Sequence, residues 1–189
     1  MTLTTLALGR MTWPKQIAAA VAGSALIAVA AQISVPFFPV PMTLQTLAVL
    51  AIGLAFGPTL AAATVVLYLL EGLAGLPVFT GMRNGVAFAG PTAGFLVGFV
   101  AMAWIAGQAA GRGLVAMIAA ALLASAVLYV FGLAWPFAVA GAVGIEAGWA
   151  SMDAGAMLGA FMYPFLLGDA VKAVLAALLV AGGATLLRR

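Results

Sequence analysis

The 189-residue chain is 67% hydrophobic and only 6% charged, carries a formal net charge of +3, and contains neither Cys nor His. A soluble domain has roughly 25% charged residues, so this composition is that of an integral membrane protein. Disulfides, thiolate nucleophiles, Cys/His zinc sites and axial haem histidines are excluded, and seven basic residues scattered among so many apolar ones make no nucleic-acid-binding patch.

Taken in chain order against the roughly 20 residues that a helix needs to cross a bilayer, the apolar runs fall at 16–35, 43–56, 58–76, 91–110, 114–134 and 155–187. They predict an all-α membrane protein with six transmembrane helices, the second of them short. The first run begins after Lys15 and passes through AVAA at 28–31, a form shared with cleavable signals. It merges directly into the next segment, however, and is read as a span. The last run is too long for one straight crossing, and Pro164 is expected to divide it into an outer piece and a span starting near Phe165. Between the runs lie SVPFFPVPMT, GP, LPVFTGMRNGVAFAG, GRG and AWPFAVAGAVGIEAGWASM. No linker or low-complexity stretch interrupts them, so residues 1–189 are expected to form a single transmembrane substrate-binding domain.

Short loops rich in Lys and Arg stay in the cytoplasm. With both termini cytoplasmic, Arg10, Lys15, Arg112, Arg188 and Arg189 obey this rule, and Arg83 and Lys172 break it. Glu146 and Asp153 then lie in the last outer loop, and Glu71 close to the outer end of the third span. Small residues four apart, such as Ala18/Ala22, Ala19/Gly23, Gly90/Gly94/Gly98 and Gly155/Gly159, put a small face on one side of a helix, for internal packing or for a partner helix.

Asp169 and Lys172 pose the sharpest question. An ionised side chain at the centre of a span costs about 2.5–3.5 kcal/mol on insertion scales, and here two sit three residues apart on one helix face. Counted from Pro164, Asp169 lies about 7–8 Å from the outer end at 1.5 Å per residue. The pair is either a structural ion pair or the lining of a substrate path. Other polar residues are expected on the same side: Thr43 and Gln45 at the second span, Arg83 and Asn84 in the following outer loop, and Thr92 at the fourth span. They suit a pocket of apolar walls with a few placed donors and acceptors. Gln45 also suits an interhelical hydrogen bond, and Arg83 and Asn84 a solvated loop. Trp13, Trp135, Trp149 and Tyr163 fall near span ends as interfacial aromatics, with Tyr163 a further candidate for the pocket mouth. There is no Asp-rich magnesium-diphosphate motif, no Ser/His or Cys/His arrangement and no GxxxxGK[ST] loop. Energy for uphill transport must therefore come from an ion gradient or a partner.

Four blocks in order, PFFPVPMTLQT at 36–46, GLAGLPVF at 72–79, GPTAGFLVGF at 90–99 and PFLLGDAVK at 164–172, together with Tyr129, Gly132 and Trp135 as YxxGxxW, resemble the BioY family, the biotin-binding S components of energy-coupling factor (ECF) transporters. The resemblance implies a six-helix S-component bundle in the bacterial inner membrane that captures biotin from the outer side, with no cofactor and no catalysis. It also implies a transmembrane T component and two cytoplasmic ATPase subunits as partners, which some members are thought to dispense with. Asp169 and Lys172 of the GDxxK motif would contact the ureido ring, with Asn84 the matching loop contact. The loop reads GMRNGVAFAG where relatives are richer in glycine, and TAGF stands where relatives often have TGGY. By charge and placement Arg83 would meet the biotin carboxylate, and the Pro-rich segment 36–41 would act as a lid. An intramembrane enzyme acting on a lipid or isoprenoid, or a structural assembly subunit, are the alternatives.

Overall fold

The computed structural model describes residues 2–188. A short N-terminal helix, α1 (Leu3–Leu8), is followed by α2 (Trp13–Gln32), a two-stranded hairpin of β1 (Ser34–Val35) and β2 (Met42–Thr43), and α3 (Gln45–Phe56), α4 (Pro58–Leu73) and α5 (Ala93–Gly107). Then come α6 (Leu114–Ala134), a π-turn at Trp135–Val139, the short α7 (Ala140–Ala142), α8 (Ala154–Phe161) and α9 (Tyr163–Leu187). Pro14, Pro58 and Pro164 all fall in the first turn of their helices, where a missing N–H deprives no carbonyl of a partner. The long final run breaks at Met162, two residues before Pro164, and α9 starts at Tyr163 rather than near Phe165. Proline opens the second helix instead of ending the first.

The surface is apolar, with Val115 82%, Leu167 78%, Val130 66% and Leu179 62% exposed. Gln45, Thr46, Ser24, Thr64, Ser125, Asp169 and Lys172 are meanwhile buried. That inversion of the soluble pattern is what a lipid-facing bundle requires. Three stretches, Trp13–Gln32, Leu114–Ala142 and Ala154–Leu187, are long and apolar enough to cross a membrane. The other three apolar runs form shorter helices, Gln45–Phe56, Pro58–Leu73 and Ala93–Gly107. At 1.5 Å per residue these reach only about 18–24 Å. The space beyond α3, α4 and α5 is taken by the 33–44 hairpin and the 74–92 loop, which fold inward and roof that end of the bundle. The hairpin pairs Ser34 with Thr43 and Val35 with Met42, a small departure from the all-α expectation that places Pro36–Pro41 at its tip.

Helix α3 runs through the centre and is buried along most of its length. The small-residue pairs divide by environment. A Cβ on Gly94 would lie 2.3 Å from the Phe131 carbonyl oxygen, and one on Gly98 2.9 Å from Phe131 Cβ, so α5 and α6 touch through these glycines. Gly23 would meet Thr64 Cγ2 at 2.6 Å, which fixes the Ala19/Gly23 face against α4. Ala18 and Ala22 remain exposed on α2, and a Cβ on Gly159 would meet nothing within 4 Å.

Candidate functional site

Beneath the roof lies a cavity of about 520 Å³, within the roughly 300–1,000 Å³ of typical small-molecule sites. Its walls are largely apolar and aromatic, including Phe37, Phe95, Phe99, Leu128, Trp149 and Phe165. Asp169 and Lys172 line its floor, Gln45 and Thr46 come from the start of α3, Tyr129 from α6, and Arg83 from the roofing loop.

The ion pair is held by three elements besides its own helix. Asp169 Oδ1 accepts from Lys172 Nζ at 3.2 Å and from Thr46 Oγ1 at 2.9 Å, while Oδ2 accepts from the Tyr129 hydroxyl at 2.6 Å. Thr46 is in the first turn of α3, so the carboxylate also faces the positive end of that helix dipole. Lys172 Nζ donates at 2.8 Å to the Thr43 carbonyl oxygen, closer than to its own carboxylate partner. Two carboxylate oxygens offer about four lone-pair sites and an ammonium three protons. One acceptor site on Asp169 Oδ2 and one N–H of Lys172 therefore remain for another molecule.

Gln45 organises the roof. Its Oε1 accepts from Thr43 Oγ1 and Thr80 Oγ1, both at 3.1 Å, and its Nε2 donates to the Tyr68 hydroxyl at 2.9 Å. Tyr68 in turn donates to the Val78 carbonyl oxygen at 3.1 Å. Gln32, at the end of α2, fastens the same loop by donating to Phe79 O and accepting from Met82 N, each at 3.1 Å. The turn it holds reverses through Gly81 and Met82 at φ 71° and 56°, closed by paired backbone bonds between Phe79 and Arg83. Aromatic edges stack Tyr68 on Phe79 and Phe79 on Phe88.

Of the eight residues the sequence points to for a pocket, Asp169, Lys172, Thr43, Gln45, Arg83 and Thr92 stand together at the cavity. Asn84, the residue after Arg83, caps the 3₁₀ turn Gly85–Ala89 by accepting from Val86 N, and stands outside the lining. Tyr163 is 57% exposed at the start of α9 and also lies outside it. Thr46 and Tyr129, the direct partners of the carboxylate, were not singled out, although Thr46 closes the PFFPVPMTLQT block and Tyr129 opens YxxGxxW. Trp135, expected in an interfacial belt, donates to Gly90 O at 3.0 Å and ties α6 to the loop before α5.

An apolar helical bundle whose one end encloses a cavity of small-molecule size over a buried ion pair has the architecture of a membrane-embedded protein. Its fold matches a solved S-component for biotin from an ECF-type ABC transporter, with a TM-score of 0.71 and 22% identity over 95% of this chain and 96% of that one. Over residues 4–189 the sequence matches the BioY family, and the chain belongs to that family. A probable biotin transporter BioY of Pyrococcus horikoshii is 37% identical over 82% of this chain and 87% of its own length. A biotin transporter BioY of Rhizobium etli is 40% identical over 78% of this chain and 79% of its own. Both relatives are named as transporters, not as enzymes.

Proposed function

We propose that the chain is the substrate-binding component of a biotin uptake system and takes biotin into the 520 Å³ cavity. The observation that carries this reading is the buried Asp169–Lys172 pair, which lines the cavity and keeps one acceptor site and one N–H unused by the protein's own groups. Biotin's ureido ring presents N–H donors and a carbonyl acceptor on a rigid bicycle. A ureido N–H donates to Asp169 Oδ2, and the ureido carbonyl accepts from Lys172. Phe95, Phe99 and Phe165 enclose the bicycle, and the valerate tail runs toward Arg83 at the rim. Arg83 is exposed, which suits a carboxylate that stays near water.

Membership of the family and the names of its relatives support biotin over other small ureides, and a transporter over the intramembrane-enzyme alternative. We place the basic ends of α2, α6 and α9 in the cytoplasm and read the three long and three short apolar helices as six crossings of a bacterial inner membrane. The cavity then opens outward, under the lid formed by Pro36–Pro41. The exposed Ala18/Ala22 face of α2 meets a transmembrane T component, and two cytoplasmic ATPases supply the energy for release inward. Calorimetry of purified protein with biotin tests the binding: a saturable site is expected, and no heat with wild-type protein overturns the reading. Labelled biotin uptake in cells with and without the partner subunits tests the coupling.

A further inference from the structure

At the opposite end of the bundle a second cavity, of about 340 Å³, lies between α1, the α5–α6 turn and the last turns of α9. Arg112 and Arg188 both line it, above apolar walls that include Leu3, Leu114, Met117 and Val180. The four acidic residues, Glu71, Glu146, Asp153 and Asp169, all belong to the other half of the molecule, where α4 ends and α9 begins. Among the described residues the Asp169–Lys172 pair is the single salt bridge, so no described carboxylate is paired with either guanidinium. Arginines at helix ends are ordinarily topology markers with their stems along lipid. These two line one concave site together with its apolar walls.

We propose that this cavity binds the phosphodiester headgroup of an anionic phospholipid. The planar guanidinium fork matches phosphate oxygens two at a time, and the cavity offers two such forks, Arg112 and Arg188, to a singly charged phosphodiester. Basic pockets between transmembrane helices at a membrane surface suit lipid headgroups. The first turn of α6, which has no side-chain cap, presents free N–H groups at the same site. Free phosphate shares the anion but gains nothing from the Leu114, Met117 and Val180 wall, which is where the first methylenes of a lipid would lie. The site is separate from the Asp169 cavity and does not depend on the ligand bound there.

Native mass spectrometry and thermal shift of the full chain in detergent test this with phosphatidylglycerol, phosphatidylcholine and inorganic phosphate added separately. Phosphatidylglycerol is expected to stay bound and raise the Tm, with the other two giving little. Each charge near a membrane surface contributes roughly five-fold in affinity, so R112Q/R188Q is expected to weaken phosphatidylglycerol binding about 30-fold. Its size-exclusion profile and helicity report on the fold. If the double variant does not fold, R188Q alone at the exposed helix end is expected to lose about five-fold. Equal retention of phosphatidylcholine, an equal effect of inorganic phosphate, or undiminished phosphatidylglycerol binding by the folded variant overturns the proposal.

Discussion

Tyr129 donates to Asp169 Oδ2 at 2.6 Å, while Lys172 approaches Oδ1 at only 3.2 Å and lies nearer the Thr43 carbonyl oxygen, at 2.8 Å. The carboxylate is thus held most closely by a neutral hydroxyl from α6, and the ammonium by a backbone carbonyl from β2. The two charges compensate each other, yet neither is used up by the other. A pair arranged in this way can pass hydrogen bonds to a third molecule without first breaking apart.

Removing one member should therefore differ from removing both. Breaking a buried pair leaves an uncompensated charge and typically destabilises by about 3–5 kcal/mol, whereas replacing both with neutral groups is often nearly neutral. Lys172→Met is expected to lower the Tm in detergent, and Asp169→Asn/Lys172→Met to recover most of it. Neither should bind biotin, and Asp169→Asn alone should weaken binding roughly 10- to 100-fold, the worth of one hydrogen bond to a charged group. Thermal unfolding and calorimetry on the same three proteins check this. A double variant no more stable than Lys172→Met would show that the charges do not compensate each other.

Tyr129→Phe keeps the ring that meets Phe95 edge-on with centroids 6.3 Å apart, and deletes the hydroxyl that positions Oδ2. The expected outcome is a folded protein with biotin affinity reduced by roughly 10-fold or more, the loss of a charge-assisted bond. Calorimetry reads the affinity, and an unchanged Tm separates positioning from unfolding. Wild-type affinity would mean that Oδ2 needs no such anchor.

Arg83 can be tested with the ligand as well as with the protein. An exposed charge pair contributes about 0–1 kcal/mol, so Arg83→Gln should weaken biotin by up to about five-fold. Biotin methyl ester lacks the carboxylate, and the variant and wild type should bind it equally. Competition binding with acid and ester checks this; an equal loss for both would move Arg83 away from the tail.

The pair at 169 and 172 stood out in the sequence because charge inside an apolar run has few ordinary explanations. Thr46 and Tyr129 did not, since a threonine at a helix start and a tyrosine in a span each have several. Their role appears only once α3, α6 and α9 are packed so that three helices converge on one carboxylate. Hydropathy also located the apolar segments while overrunning their ends: 58–76 stays apolar past Leu73, yet Gly75 adopts φ 100° and the chain turns. Apolar character says that a residue avoids water, not whether it does so against lipid or under a folded loop. For the same reason the path of the 74–92 loop, which sets Arg83 at the cavity and Asn84 beside it, was not legible from polarity alone.

The exposed Ala18/Ala22 face of α2 predicts a separation of assembly from binding. Ala22→Leu projects into lipid in the isolated subunit, so biotin binding and Tm should hold. Against a partner helix the added bulk should cost about 1–3 kcal/mol, as overpacking does elsewhere. Co-purification with a T component is expected to fall while calorimetry is unchanged. Intact assembly would place the partner on another face.

Two glycine substitutions test how tightly the bundle constrains the site. A methyl at Gly94 would stand 2.3 Å from Phe131 O and 2.6 Å from Trp135 Cβ, and neither backbone nor Cβ can yield without moving α6. Gly94→Ala should therefore destabilise by about 1–3 kcal/mol. Because Tyr129 rides on the displaced helix two residues before Phe131, biotin affinity should fall with it. Gly159→Ala meets nothing within 4 Å in α8 and removes a residue that costs a helix interior about 1 kcal/mol relative to alanine. It should leave the Tm unchanged or slightly raised and binding intact. Thermal unfolding and calorimetry on both variants read the contrast, and a Gly94→Ala protein as stable and as tightly binding as wild type would mean that the α5–α6 contact is not what holds Tyr129 over the carboxylate.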